Sequence, residues 1–287
     1  MSSRSVRWMQ FPDKKVFSIE YFGESEMGKS HSEFTYPNVA VCDTISEGEV
    51  YQIAEKFGNK MVMRATTFDD VRRFVSYCVT NPKIESIAID SGADLVDMAE
   101  AEWLKEKHRQ SVFVPGEGGF QWAEVYEKID ELIQKVKIAN KYLIVTSKMK
   151  DEWVDVEGQT ESVRSGRRIR DGYKKFPFGL SVRVHLEHGV IDKEGRTHFE
   201  DRIFGKVIKN RWIPKRVQKP YFFDSTYQGL VEGGELFEVF CENYDEKICD
   251  IKECVRCPKC VKKDIVKEAR KYLISIGEIE EDITDEA

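Results

Sequence analysis

The stretch VFSIEYFGESEMGKSHSEFTYPNVAVCDT, residues 16–44, decides the fold. VFSIEYF is an apolar run that reads as a buried strand, and it leads directly into GESEMGKS, Gly23 to Ser30, which matches GxxxxGK[ST]. KSHSEFTY then reads as a short helix that Pro37 ends, and NVAVCDT as a second strand. In such a loop the backbone N–H groups and the helix that follows complement an anion. Lys29 reaches the β and γ phosphates, and the Ser30 hydroxyl is a ligand for Mg²⁺. The residues expected to bind nucleotide are therefore Gly23, Glu24, Ser25, Glu26, Met27, Gly28, Lys29, Ser30 and His31, with ATP and Mg²⁺ as the cofactors.

Working outward, IESIAIDS is an apolar strand that ends in Asp90, where a carboxylate would hold the Mg²⁺ water shell. Hydrolysis also needs groups that orient the attacking water and sense the γ-phosphate. The end of the second strand, CDTISEGE, offers Asp43, Glu47 and Glu49, and the later strand YLIVTS offers Thr146 and Ser147. Between these, GEVYQIAEKFG reads as helix and NKMVMRA as strand. TFDDVRRFVSYCVTNP reads as a helix capped by a threonine, with Phe68, Val71, Phe74, Val75 and Cys78 on one face. WAEVYEKIDELIQKVKIANK places Trp122, Val125, Tyr126, Ile129, Leu132, Ile133 and Val136 at helical spacing. Residues 91–121 are polar and glycine-bearing, fit no element clearly, and carry the exposed-looking aromatics Trp103, Phe113 and Phe120. After residue 172, GLSVRVHLEHG, THFEDRIFG and KVIKNRW alternate with period two and predict antiparallel strands that extend one edge of the sheet. Strands alternating with amphipathic helices make the remainder a mainly parallel α/β sheet covered on both faces.

Composition sharpens the choice of partner. The 287-residue chain has a formal net charge of −6, but residues 277–287 hold six acidic side chains and no basic one, so the rest of the chain is neutral. Against that background RSGRRIRDGYKK (164–175) and GKVIKNRWIPKRVQK (205–219) each carry six Lys or Arg. No run of about 18 apolar residues occurs, and the first residues lack the apolar core of a signal peptide. A cytoplasmic protein without a membrane partner is expected, in the host cytoplasm if the chain is viral.

The order GESEMGKS, VAVCDT, IAIDSGADL, YLIVTSKMK, VRVHLEHG and KVIKNRW resembles the RecA-type ATPase core over roughly residues 16–230. It looks closest to the small phage and archaeal-virus RecA-like proteins associated with single-strand annealing. The resemblance implies a RecA-like P-loop core with antiparallel edge strands over residues 1–235. It also implies assembly into a homo-oligomeric ring or filament, and single-stranded DNA as partner. Lys209 and Arg211, one residue apart and so on one side of a strand, would act on the ATP of a neighbouring protomer. DNA would be bound by the stretches 91–121 and 148–172. The second reads as a mobile glycine-bearing loop whose Arg164, Arg167, Arg168 and Arg170 neutralise phosphates or are simply solvated, while the aromatics of the first either pack, the commoner outcome, or stack on bases. The family's catalytic glutamate falls on Ile45, which leaves Asp43 first and Glu47 second as water-orienting carboxylates.

Residues 236–287 form a separate Cys-rich segment with an acidic tail. Cys249, Cys254, Cys257 and Cys260 are spaced for a tetrahedral thiolate site, with zinc, an iron–sulfur cluster and free thiols all open. The acidic tail reads as a solubilising terminus, or as a mask for the basic stretches or a contact for a replication or recombination protein. The function expected is a Mg²⁺-dependent ATPase acting on single-stranded DNA in annealing, recombination or replication. The alternatives are a P-loop nucleotide or small-molecule kinase with 164–175 as its lid, and a nucleotide-gated binding module with little hydrolysis.

Overall fold

The structure is a computed structural model that describes residues 16–45, 49–59, 61–114, 119–154, 163–173, 176–191, 197–211, 222, 223 and 227. In chain order the elements are β1 (Ser18–Gly23), α1 (Lys29–Phe34), β2 (Val39–Asp43), α2 (Glu49–Lys56), β3 (Val62–Arg64), α3 (Phe68–Thr80), β4 (Ser86–Asp90), α4 (Gly92–Glu106), β5 (Phe113–Val114) and β6 (Gly119–Phe120). They continue with α5 (Trp122–Ile138), β7 (Tyr142–Ser147), β8 (Met149–Val154), β9 (Val163–Arg170), α6 (Phe176–Gly179), β10 (Val182–Ile191), β11 (Thr197–Asn210) and β12 (Phe222–Phe223). Eight strands form one sheet in the order β12-β11-β10-β1-β7-β4-β2-β3. From β10 to β3 the neighbours are parallel, and β11 and β12 add antiparallel to the β10 edge.

Both faces of this sheet are covered, which is why β1, β2, β4 and β7 are buried along their whole length. One face carries Cys42, Ile87, Ile89, Leu143 and Val145 against α3, α4 and α5. The other carries Ile19, Tyr21, Val41, Ala88, Ile144 and Val184 against Phe34, Tyr36 and Val50 of the α1 and α2 side. Helix α3 starts where Thr67 accepts from the Asp70 N–H and Asp70 returns the contact, a reciprocal cap, and it buries the five residues its periodicity picks out. Of the described residues, no helix is long and apolar enough to cross a membrane.

Four expectations change. The 91–121 stretch contains the 15-residue helix α4, capped by Ser91. Its buried stripe is Leu95, Ala99 and Trp103, and with one small member and acids between them that stripe is faint in the sequence. Trp103 is therefore 2% exposed, and its Nε1–H donates to Glu124 at 3.0 Å, so it is a core residue and not a surface platform. Within the 148–172 stretch, residues 149–154 and 163–170 pair as the antiparallel ribbon β8–β9, with the arginines on β9. Strand β10 is parallel to β1, so the antiparallel extension begins only with β11. The two strands expected after residue 196 are a single 14-residue β11, whose register against β10 shifts between Arg183 and Val184. There Ile208 is the extra residue, 45% exposed, and it puts Lys206 and Lys209 on one face, opposite His185 and Arg183. The Cys-rich segment, the acidic tail and Glu47 lie outside the described residues.

Trp103→Ala should lower unfolding stability by about 3–5 kcal/mol in a urea titration, the range for emptying a buried aromatic site, where a solvent-facing aromatic would change it little.

Candidate functional site

The Gly23–Ser30 loop sits at the carboxyl end of β1, in mid-sheet. Two glycines are needed for its shape. A Cβ at Gly23 would lie 2.6 Å from the Leu186 carbonyl oxygen of β10, and Gly28 holds φ 70° as the residue that opens α1. Lys29 Nζ donates to the carbonyls of Gly23, at 3.1 Å, and Glu24, so its ammonium lies inside the loop. Ser30 Oγ donates to Asp90 Oδ2 at 2.7 Å, and Thr146 of β7 donates to Asp90 Oδ1. The expected loop lysine, loop hydroxyl and strand-end carboxylate are thus brought together, with β7 between the two strands that carry them. Burial pushes the Asp90 carboxyl up and the Lys29 ammonium down, each opposed by the charge of the other.

Asp43 ends β2 in register with Asp90, and its Oδ1 accepts from the Ile45 N–H at 3.0 Å. Glu33 of α1 is fully buried beside them, and neither of its oxygens meets a hydrogen-bond partner among the described residues. A buried polar group left so costs about 1–3 kcal/mol. Burial raises its pKa well above the usual carboxyl range, and Asp90 and Asp43 raise it further. Among the described residues no group of three or more His, Cys, Asp or Glu side chains is arranged to hold a metal ion. The chemistry of Ser30 and Asp90 fits Mg²⁺ all the same, because this ion takes few protein ligands and completes its shell with water and nucleotide oxygens. His31, exposed on α1, packs edge-on to Phe57 with ring centroids 6.1 Å apart.

Beside the loop, a charge sits inside the sheet. Glu20 of β1 has 0% exposure, yet it accepts from Ser147 Oγ at 2.7 Å, Arg170 Nη1 at 2.8 Å and Arg183 Nε at 2.7 Å. Ser147, expected as a γ-phosphate sensor, is committed to this carboxylate, and so is Arg170, whose side chain is 11% exposed. The other ribbon arginines differ. Arg167 is exposed. Arg164 lies 5.3 Å over the Trp153 ring, and its 3.3 Å ion pair to Asp151 is surface-exposed. Arg168 pairs with Asp151 and also with Glu24 of the loop at 2.8 Å. Exposed pairs of this kind contribute about 0–1 kcal/mol, so they break easily in favour of another anion.

Lys209 lies near the end of β11, and Arg211 follows just beyond it. Arg211 is exposed, and Lys209 Nζ donates to the Leu180 carbonyl at 2.7 Å. Burial, then Arg211, Arg183 and Lys137, push the Lys209 pKa down to about 8. Sequence reasoning missed Glu20 and Glu33. The signal for Glu20 was an acid flanked on both sides by apolar residues within one strand, and for Glu33 an acid in the first turns after the loop. No protein-family model matches this chain, and no curated protein is significantly similar to it.

Glu20→Ala, which leaves two guanidinium groups buried without their anion, should cost roughly 3–5 kcal/mol in denaturant unfolding. A Lys209 pKa near 8, against about 10.4 for an ordinary lysine, means that mass-mapped acylation of the folded protein at pH 7–8 should label Lys209 ahead of exposed lysines, and that preference should fade as the pH rises toward 10, where the others also lose their protons.

Proposed function

We propose that this protein is a RecA-like, Mg²⁺-dependent ATPase that acts on single-stranded DNA. The observation that carries the reading is the hydrogen bond between Ser30 of the glycine loop and Asp90 at the end of β4, with the Lys29 ammonium held in the same loop. Ser30 and Asp90 would hold the cation, which when bound neutralises charge on the β and γ phosphates. Lys29 exchanges its two loop carbonyls for phosphate oxygens. Thr146, by holding the second oxygen of Asp90, keeps that carboxylate turned to Ser30.

The DNA side of the proposal rests on the β8–β9 ribbon. Arg164, Arg167 and Arg168 present cations next to exposed Trp153, the pairing of charge and π-surface that suits unpaired bases and their phosphates. Arg170, buried on Glu20, anchors the ribbon instead of contacting DNA. Arg211, exposed just beyond β11, would be the group that reaches a neighbouring protomer, because Lys209 is held on Leu180. Such a contact requires a homo-oligomer. The Arg168–Glu24 pair also favours a second reading, in which the ribbon is an arginine lid over the loop of a nucleotide kinase.

The test is binding of a fluorescent ATP analogue together with ATP turnover, with and without a single-stranded oligonucleotide. Lys29→Ala should abolish analogue binding. Arg211→Ala should spare binding and lower turnover by tenfold or more, about the effect expected of a transition-state cation supplied in trans. Arg164→Ala and Arg167→Ala should each reduce the salt dependence of DNA affinity by a log–log slope of about 0.7. Turnover that ignores DNA but phosphorylates a nucleoside monophosphate selects the kinase reading.

A further inference from the structure

Glu33 follows Lys29 by one helical turn and Ser30 by three residues, so on α1 its side chain shares their side of the helix. Beneath it lie the paired ends of β2 and β4, where Asp43 and Asp90 are register partners and Asp90 accepts from Ser30. The Glu33 side chain is entirely buried, and neither of its oxygens has a hydrogen-bond partner among the described residues. An apolar side chain would fill that position at no electrostatic penalty, as Phe34 and Tyr36 do for the core beside it. Buried acids without partners are rare enough in folded proteins that each one points to a missing partner. The partner it lacks must donate hydrogen bonds and be compatible with two further carboxylates. Water bound to a divalent cation does both.

We propose that Glu33 is a positioning residue for a hydrated divalent cation: with nucleotide on the Gly23–Ser30 loop, its carboxylate accepts hydrogen bonds from the water shell of the ion held by Ser30 and Asp90. The role rests on the nucleotide reading above and gives α1 a second duty beyond carrying the loop lysine.

The experiment uses the full chain and a fluorescent, non-hydrolysable ATP analogue, titrated in EDTA and in graded Mg²⁺. Mn²⁺ binding is followed by electron paramagnetic resonance with the analogue present. Glu33→Gln keeps the size of the side chain and removes its charge. The expected result is an affinity in EDTA within about twofold of wild type, with half-saturation by Mg²⁺ shifted roughly tenfold or more upward and a matching loss of bound Mn²⁺, the range for removing an outer-shell ligand. Glu33→Asp should recover part of the shift. Identical Mg²⁺ dependence in wild type and Glu33→Gln overturns the proposal, as does an equal loss of affinity with and without metal. A Glu33→Gln chain that fails to fold by circular dichroism overturns it too, because the side chain then belongs to the core. If the wild-type chain binds the analogue in neither condition, the nucleotide reading itself falls and takes this role with it.

Discussion

A single buried carboxylate organises the middle of this protein. Glu20 lies in the strand that carries the glycine loop, with its side chain at 0% exposure, and an ion so placed persists only when it is paired and hydrogen-bonded. Its three donors come from three other strands: Ser147 from β7, Arg170 from β9 and Arg183 from β10. The two arginines are themselves seated on rings, Arg183 over Phe22 and Arg170 over Phe176. The pairing of β10 with β1 and the attachment of the β8–β9 ribbon are thus reinforced by electrostatics as well as by apolar packing.

That anchor divides the ribbon into two parts. Arg170 at its base is fixed inside the protein, while Arg164, Arg167 and Arg168 along the same strand are exposed. Arg168 contacts Glu24 in the loop, so the ribbon and the candidate phosphate site touch through a weak, solvent-screened pair next to a strong, buried one. An anion in the loop would compete directly with Glu24 for Arg168. Asp90 plays the corresponding part at the loop, where one carboxylate accepts from α1 and from β7 and so couples the helix to the strand.

How legible this was depended on the kind of signal. β1, the glycine loop, α1, β2 and β4 follow from apolar runs and turn residues, and α3 and α5 from strong stripes such as Val71, Phe74, Val75 and Cys78. These local patterns and the tertiary burial agree. Helix α4 was obscured because Ala99 occupies the middle of its buried stripe and acids crowd the rest. The β9 arginines read as a loop because Gly166, at φ 80°, and the charges around it mask a strand that faces solvent on most of its length. In the site, Lys29, Ser30 and Asp90 were readable from spacing. Glu20, Arg183 and Glu33 were not, because their meaning lies in cross-strand neighbours that only the sheet order defines.

The extra residue in β11 settles a question of parity. Side chains along a strand alternate between its two faces, so every odd-length insertion inverts all that follows. Ile208 is such an insertion, and it turns Lys209 and Arg211 toward the Glu20 side of the sheet, while Val207 just before it still packs into the opposite core. Had the strand run without interruption, the two cations would have been aimed into the apolar layer formed by Tyr21, Val184 and Val207. One outward-facing isoleucine, left out of the pairing, thus shifts the alternation for the residues that follow it, which would take the opposite face only if Ile208 were itself paired in the ladder.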